Sequence, residues 1–275
     1  MNGQNADREH PGQAEELSAL REENRALREN LAARELFIRS ALGRFLTNEV
    51  LEALMREKET LSIAGELRYV TMLFSDIRGS TDLSERMAPM DFIRMLNHYL
   101  EEMIEIVNAW RGNILEFVGD AIVAVYGAPR ENADAAEEAV ACAVAMQRRM
   151  EAVNEWNRSQ GYPIIGVGIG IHTGEAVLGT IGSATRAKYD MIGRNVNLAE
   201  RIESLSGGGQ ILVSTETLSS AGDRVRINPA GERCFLPKGI HKEILVHDVI
   251  GYGNSLTPRG AALSMETGTD KSVSG

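Results

Sequence analysis

The chain has few cysteines, few aromatic residues and no long apolar run. The small number of cysteines and the lack of an apolar run each exclude certain classes of protein. The two cysteines, Cys142 and Cys234, lie far apart without metal-ligand spacing, which argues against a disulfide framework or a cysteine-based metal site. No apolar run approaches the ~20 residues that span a bilayer. The polar N-terminus also lacks the apolar segment of a signal peptide. We therefore expect reduced thiols and a cytoplasmic protein without membrane insertion.

Positive charge is also in short supply. The chain carries 29 Lys and Arg against 39 Asp and Glu, for a net charge of -10. Nucleic acids and anionic membranes attract basic surfaces, so neither is expected as the main partner. With 275 residues, 43% of them hydrophobic, the chain is long enough for one sizeable globular domain with appendages.

An apolar strand ending in one carboxylate is predicted at residues 69–81, YVTMLFSDIRGST. Asp76 follows the apolar run, and the predicted strand ends at Gly79. Ser80 and Thr81 come next, and both are good helix N-caps. A bare carboxylate at the end of a buried strand is costly unless a cation lies against it, most simply a metal ion. An ordinary turn or capping aspartate is the alternative.

A second carboxylate, Asp120, lies in a predicted hairpin. Residues 113–127, NILEFVGDAIVAVYG, are two apolar runs joined at Gly119-Asp120. A helical segment from Pro89 to Trp110 precedes them. If the first two strands are parallel, the hairpin tip lies at the same end of the sheet as Asp76. Such a carboxylate pair suits two Mg²⁺ ions roughly 3.5 to 4 Å apart, as phosphoryl transfer requires.

Later elements are read mainly as scaffold. The alternation of Gly166, Gly168 and Gly170 with branched residues predicts a strand that another element approaches closely. His172 lacks an acid nearby in sequence, so a structural role is favoured over acid–base chemistry. The remaining predicted elements are an Ala-rich helix at 132–158, a loop at 183–188, a helix at 195–204 and late strands near 224–228 and 244–250.

Three motifs, FSDIRGST, EFVGDAIVAVYG and YDMIGRNVNLAERIES, together resemble the catalytic domain of the class III nucleotidyl cyclases, the adenylate and guanylate cyclases, over about residues 68–250. The resemblance implies an α+β fold with a ferredoxin-like βαββαβ sandwich core. It also implies that the 3′-hydroxyl of a bound nucleoside triphosphate attacks its own α-phosphate, releasing pyrophosphate and a 3′,5′-cyclic nucleotide.

The resemblance also implies roles for individual residues. Asp76 and Asp120, with the backbone carbonyl of Ile77, would hold two Mg²⁺ or Mn²⁺ ions per site. Asn197 and Arg201 would stabilise the transition state, with the Arg201 guanidinium able to meet phosphate oxygens in a fork. A surface ion pair of Arg201 with Glu200 or Glu203 is the alternative.

A homodimer follows from the same resemblance. In the family, the metal ligands and the Asn/Arg pair of one site come from opposite subunits, so a chain carrying both implies a head-to-tail homodimer. The backbone amides of Gly79, Ser80 and Thr81 are expected to face the triphosphate. Lys238 is expected to add a further phosphate contact, with Lys242 as the alternative.

Base selection is expected to involve Glu116 and Asp190. Where the family's adenylate cyclases usually carry lysine and its guanylate cyclases glutamate, the chain has Glu116, an acceptor that suits N1–H and the N2 amino group of guanine. Asp190 is the residue of many adenylate cyclases, where it accepts from adenine N6. The two positions disagree, so mixed selectivity is a hypothesis, with ATP favoured over GTP by a small margin.

The N-terminal region predicts a dimerisation helix. Asn24 falls at an a position, where one asparagine favours a parallel pair; an amphipathic helix folded onto its own domain is the alternative. The heptad positions are Leu17, Leu20, Asn24, Leu27, Leu31, Arg34, Ile38 and Ala41. The expected organisation is a disordered 1–12, a coiled coil at 13–43, a segment at 44–67 that resembles the family's transducer or is a plain linker helix, a catalytic domain at 68–252 and a disordered tail at 253–275.

Two other functions compete with this interpretation. A diguanylate cyclase is disfavoured, because its hairpin carries a GG-acid-acid-aromatic motif and this one reads FVGDAI. A catalytically silent cyclase homologue could act as a dimeric signalling scaffold. Degenerate members generally lose an aspartate or the Asn/Arg pair, and this chain keeps all four residues.

Overall fold

The computed structural model describes residues 11–42, 65–183, 186–236 and 243–260. The chain divides into an N-terminal unit, residues 1–52, and a larger unit, residues 53–275. Most of the predicted transducer segment and the predicted phosphate contacts Lys238 and Lys242 lie outside the described residues, as does the chain beyond residue 260.

The N-terminal unit contains one long helix, α1 (Pro11–Leu42). It begins inside the stretch 1–12 that was expected to be disordered. Four heptad leucines, Leu17, Leu20, Leu27 and Leu31, are at least half exposed. The helix is therefore found where the heptads predict it, and its pairing into a coiled coil stays a prediction.

The larger unit alternates strands with helices. Its elements are β1 (Gly65–Ile77), α2 (Ser80–Arg86), α3 (Pro89–Ala109), β2 (Asn113–Val118), β3 (Ala121–Tyr126), α4 (Ala135–Ser159), β4 (Val167–Ser183), β5 (Arg186–Ile192), α5 (Arg194–Ser204), β6 (Ile211–Ser214), α6 (Thr215–Ala221), β7 (Val225–Ile227), β8 (Arg233–Phe235), β9 (Ile244–Tyr252) and β10 (Ser255–Leu256).

The strands form one sheet in the order β10-β9-β6-β4-β1-β3-β2, with β5 paired to β4 and both β7 and β8 paired to β9. Within it, β1-α3-β2-β3-α4-β4 gives the spatial order β4-β1-β3-β2, so the predicted ferredoxin-like βαββαβ core is confirmed. Both β1 and β2 pair antiparallel with β3, so they run parallel to each other, as the hairpin prediction required.

Both faces of the sheet pack against other parts of the chain, and successive side chains of β1 point alternately to one face and the other. Leu73 points into the main core with α3 and α4, whereas Val70 and Met72 pack on the other face in a cluster that includes Ala199 of α5. Asp76 continues the alternation of Val70 and Met72. The carboxylate therefore projects from the face of the sheet that α5 covers.

The glycines of the β4 region allow α5 and the loop after it to approach the sheet. A Cβ atom at Gly170 would lie 2.1 Å from the backbone nitrogen of Glu203, and one at Gly166 would lie 3.2 Å from Cα of Gly208. Any side chain at Gly170 would thus push α5 off the sheet. The prediction of a close approach along this glycine series is confirmed.

Part of the predicted loop at 183–188 is a strand. β4 continues to Ser183 and the chain then turns back, so that β5 pairs with β4 from Arg186 onward, with Lys188 opposite Ile181. Local composition predicted a loop because the stretch lacks an apolar run, but pairing with β4 supplies the missing stabilisation.

Residues 253–260, the first part of the predicted disordered tail 253–275, are ordered. β10 pairs with β9, and Thr257 is buried with its backbone N–H donating to the carbonyl oxygen of Ile250 at 2.9 Å. Arg259 lies 2.9 Å from the buried carboxylate of Asp248. These contacts hold residues 253–260 against β9, which the Gly- and Ser-rich composition did not indicate.

Two expectations drawn from the scarce residue types concern cysteines and membranes. Cys142 is buried and Cys234 exposed, and both are free thiols, as predicted. Among the helices of the described ranges, none combines the length and apolarity that crossing a bilayer requires.

We predict that Gly170→Ala lowers the free energy of unfolding by about 1–3 kcal/mol, because the new methyl group would overlap the backbone of α5. Urea unfolding of the purified protein measures the change. Gly207→Ala is the matched control, since its Cβ would meet only Gln210 Oε1 at 3.7 Å. Equal stability of the two variants would contradict the close packing of α5.

Candidate active site

The two predicted metal-binding carboxylates meet at one end of the sheet. Asp76 is the penultimate residue of β1, and Asp120 forms the tip of the β2–β3 hairpin. The backbone N–H of Ile77 donates to Oδ2 of Asp120 at 3.0 Å. Gly119 supplies the left-handed backbone, with φ at 66°, that the tight turn before Asp120 needs. The predicted convergence is confirmed.

When both are ionised, the carboxylates of Asp76 and Asp120 repel each other. Burial, together with the hydrogen bond and charge of Asp120, raises the pKa of Asp76 to about 6, although Arg78 acts in the opposite direction. Oxygen donors with such an excess of negative charge fit Mg²⁺ or Mn²⁺. In the described ranges no group of three or more His, Cys, Asp or Glu side chains is placed to hold a metal. Further ligands would therefore be oxygens such as the Ile77 carbonyl and substrate phosphates.

Asn197 and Arg201 lie one turn apart on the outer side of α5. Asn197 is exposed and Arg201 is partly exposed. The opposite side of the helix packs on the sheet through Leu198, Ala199, Ile202 and Glu203. The pair therefore presents polar groups away from its own core.

His172 helps to hold the start of α5. Its ring nitrogens lie 2.8 Å from Ser214 Oγ and 3.3 Å from Asn195 Oδ1. Asn195 Nδ2 in turn donates to the carbonyl oxygen of Glu175 at 2.8 Å. Burial lowers the pKa of His172. A buried neutral ring in this network agrees with the structural role favoured from sequence.

The two predicted base-reading acids are joined by a lysine that the sequence did not single out. Lys188 Nζ lies 2.7 Å from Glu116 Oε2 and 2.8 Å from Asp190 Oδ2. A register shift in β2 between Ile114 and Glu116 changes the pairing just before Glu116. Hydrogen bonds to Asp190 and then to Glu116 raise the pKa of Lys188, so it is protonated at neutral pH.

The predicted phosphate-facing loop follows β1 directly. Gly79, with φ at 74°, is the N-cap of α2 and no side chain caps this helix. The prediction that Ser80 or Thr81 caps the helix is therefore wrong, because the left-handed turn at Gly79 places both residues in its first turn. The alternative roles of Lys238 and Lys242 fall on residues that are not described.

Three charged residues of the site region were missed from sequence: Lys188, Arg78 and Glu203. Lys188 could have been found from the alternation in KYD, which places Lys188 and Asp190 on one face if the segment is a strand. Arg78 contacts Glu203 and lies 3.7 Å from Asp76 Oδ2. No local sequence signal connects Arg78 with a residue so distant in the chain.

A family model for the adenylate and guanylate cyclase catalytic domain matches residues 64–244. Adenylate cyclase 1 of Rhizobium meliloti (strain 1021) is 35% identical over 184 residues, which cover 66% of this chain and 27% of that protein. The chain spans between 27% and 39% of the length of the first curated relatives it matches.

Solved structures are also similar. The guanylyl cyclase Cya2 shares 43% sequence identity with a TM-score of 0.68, covering 70% of this chain and 98% of that one. The adenylyl cyclase CyaB from P. aeruginosa shares 35% identity with a TM-score of 0.66 and the same coverage, 70% and 98%.

We predict that Asp76→Asn stabilises the metal-free protein at pH 7.5. A carboxyl whose folded pKa of about 6 lies above its ordinary value of 3.8 costs stability when ionised, and the cost fades as pH falls from about 6 to about 4. Because this side chain is 33% exposed, solvent screening reduces the effect to about 1 kcal/mol. Urea unfolding in EDTA at pH 7.5 and pH 4 measures it.

The control is Asp82→Asn, whose side chain is 74% exposed and pairs only across one helical turn with Arg86. Its stability should change by less than about 0.5 kcal/mol at either pH. Adding Mg²⁺ at pH 7.5 should stabilise the wild type and not Asp76→Asn. A less stable Asp76→Asn protein in EDTA would contradict the electrostatic account.

Proposed function

Because the chain belongs to the adenylate and guanylate cyclase catalytic domain family, we propose that it is a class III nucleotidyl cyclase, which converts a purine nucleoside triphosphate into the 3′,5′-cyclic nucleotide and pyrophosphate. The observation that carries this proposal is the meeting of Asp76 and Asp120 at one end of the sheet. A silent scaffold would not need to keep two repelling carboxylates together.

The chain's own groups would position the substrate. Asp76 and Asp120, with the carbonyl of Ile77, would hold two Mg²⁺ or Mn²⁺ ions, which when bound neutralise charge on the phosphate oxygens and acidify the 3′-hydroxyl. The Ile77 N–H keeps Asp120 oriented. The 3′-hydroxyl gives its proton to solvent and its oxygen forms a bond to the α-phosphorus. The bond between the α-phosphorus and the bridging oxygen breaks, and pyrophosphate leaves with that oxygen and the electron pair. The backbone amides of Gly79, Ser80 and Thr81 would face the triphosphate.

Asn197 and Arg201 would act on the substrate held by the other subunit of a head-to-tail homodimer. Their outward position on α5 supports this assignment, because the guanidinium can then form charge-assisted hydrogen bonds to a phosphate presented by a second chain. Lys238, or alternatively Lys242, would add a phosphate contact.

Two apolar surfaces support the dimer. Leu67, Val177 and Ile192 are paired across β1, β4 and β5 and are all exposed, which makes a row that favours a partner surface. The leucines of α1 make a second such surface, with Asn24 as the residue that would specify a parallel coiled coil. We assign residues 13–43 to this pairing, 44–67 to a transducer and 68–252 to catalysis.

Glu116 suits guanine and Asp190 suits adenine, and Lys188, which contacts both, would allow the site to bind either purine. With adenine, Asp190 would accept from N6 and Lys188 would donate to N1. With guanine, Glu116 would accept from N1–H and the N2 amino group while Lys188 donates to O6. The side chain of Asp190 is 19% exposed and that of Glu116 is 37% exposed. Asp190, which would bind adenine, is the less exposed of the two acids, so ATP is favoured by a small margin. GTP is the second substrate.

We predict that Asp76→Ala and Asp120→Ala each abolish cyclic nucleotide formation while the dimer stays intact. Mixing Asp76→Ala with Arg201→Ala chains should restore about one quarter of the wild-type activity, since half of the dimers are mixed and each has one complete site. Chromatographic assay of cyclic nucleotides after confirmed subunit exchange measures the rescue. Absence of rescue would contradict the shared site.

We predict that the wild type cyclises ATP and GTP with kcat/KM values within about tenfold of each other, and that Lys188→Met lowers both by about 10- to 150-fold, the equivalent of one lost hydrogen bond to a charged group. Lys188→Arg keeps the positive charge and should retain most of the activity. Loss of turnover with only one purine would show that Lys188 serves that base alone.

A further inference from the structure

An ion pair between Arg78 and Glu203 connects the carboxylate end of β1 with α5. Arg78 Nη2 contacts Glu203 Oε1 and lies 3.7 Å from Asp76 Oδ2. The backbone N–H of Arg78 donates to the carbonyl oxygen of Gly166 at 2.8 Å. One guanidinium is therefore shared between the candidate metal site and the helix that carries Asn197.

The residues around this ion pair leave space for the Arg78 guanidinium and shield the two contacting atoms from solvent. A Cβ atom at Gly168 would lie 2.6 Å from Arg78 Nε and 2.3 Å from Ser206 Oγ, so the glycine leaves the space through which the guanidinium passes. Arg78 Nη2 and Glu203 Oε1 are both shielded from solvent. Because the dielectric response is weak in such a place, the two charges interact more strongly than an exposed pair.

Glu203 and the polar pair of α5 face opposite ways. Glu203 is buried against the sheet, whereas Asn197 is exposed on the far side of the helix. In the head-to-tail dimer, the inner side of α5 would contact Arg78, which lies beside Asp76 of its own chain, and the outer side would serve the substrate of the other chain. A shift of the helix would therefore be felt at both sites.

We propose that the Arg78–Glu203 ion pair couples the two active sites of the homodimer, with both residues acting as positioning residues. The inference rests on the proposed function. A metal cation held by Asp76 repels the Arg78 guanidinium and a bound triphosphate attracts it. Glu203 transmits the resulting change in the position of Arg78 to Asn197 and Arg201, which serve the opposite site.

Mixed dimers separate the two directions of this coupling. One chain carries Arg201→Ala and keeps its carboxylates, and the other carries Asp76→Ala and keeps its helix residues. Such a dimer has a single complete site. Glu203→Gln, which keeps the shape of the side chain and removes its charge, is then added to either chain alone, and initial rates are measured over a range of Mg²⁺ concentrations.

Both placements are expected to matter, each in its own way. On the carboxylate chain, whose α5 is already inactive, Glu203→Gln should change the Mg²⁺ concentration for half-maximal activity by roughly 2- to 30-fold. On the other chain it should lower kcat over a similar range without that shift. Thermal melting of the same dimers with and without Mg²⁺ gives a readout that does not need turnover.

Glu138→Gln is the matched control. Glu138 is also a buried glutamate, and it forms an ion pair with Arg111 and accepts a hydrogen bond from Asn132 Nδ2. Arg111 precedes β2, whereas Asp120 follows it, so this ion pair lies at the other end of β2 from the candidate site. The substitution should cost stability in either chain and leave the Mg²⁺ dependence unchanged.

Two negative results have different meanings. A mixed dimer that is active but indifferent to Glu203→Gln on the carboxylate chain overturns the coupling and leaves the cyclase assignment standing. A mixed dimer that is folded but inactive before Glu203 is changed overturns the shared site, and the coupling with it.

Discussion

Like charges repel, and the carboxylates of Asp76 and Asp120 nevertheless lie together because β1 and β3 are neighbours in the sheet. Their antiparallel register places Ser75 opposite Ile122, and two further residues bring Ile77 to the hairpin tip, where its N–H donates to Asp120. Both faces of β1 are buried, so the strand cannot slip to relieve the repulsion. The fold thus holds two carboxylates close together against their mutual repulsion.

The charge count of this region fits a divalent ion. This region holds three carboxylates, those of Asp76, Asp120 and Glu203, and one guanidinium, that of Arg78, which contacts Glu203 and lies 3.7 Å from Asp76 Oδ2. Arg78 therefore compensates only part of the negative charge, and the excess that remains lies at the end of β1, beside the loop that begins α2. A second internal cation would have stabilised the empty fold at the expense of metal affinity. Gly168 leaves the space that this guanidinium fills, since a Cβ atom there would lie 2.6 Å from Arg78 Nε.

Sequence reasoning was most successful where a motif and a strand period decide the answer alone. Asp76 follows an apolar run and Asp120 sits in a Gly-Asp turn, so topology could be argued from two local patterns. Gly168 and its neighbours predicted a close approach but could not name the helix that makes it. Lys188 escaped because β5 is stabilised by pairing with β4 rather than by its own composition. Long-range pairs such as Arg78 with Glu203 leave no local trace.

The period of the α-helix explains why one short element can serve two places. Asn197 and Arg201 are four residues apart, which rotates them by about 40° relative to each other and keeps them on one face. Glu203 lies two residues beyond Arg201 and is rotated by about 200°, so it must point to the opposite face. A helix packed on a sheet through Glu203 therefore cannot aim Arg201 at the same surface. If Arg201 is to meet a phosphate held by Asp76 and Asp120, a second chain has to supply it.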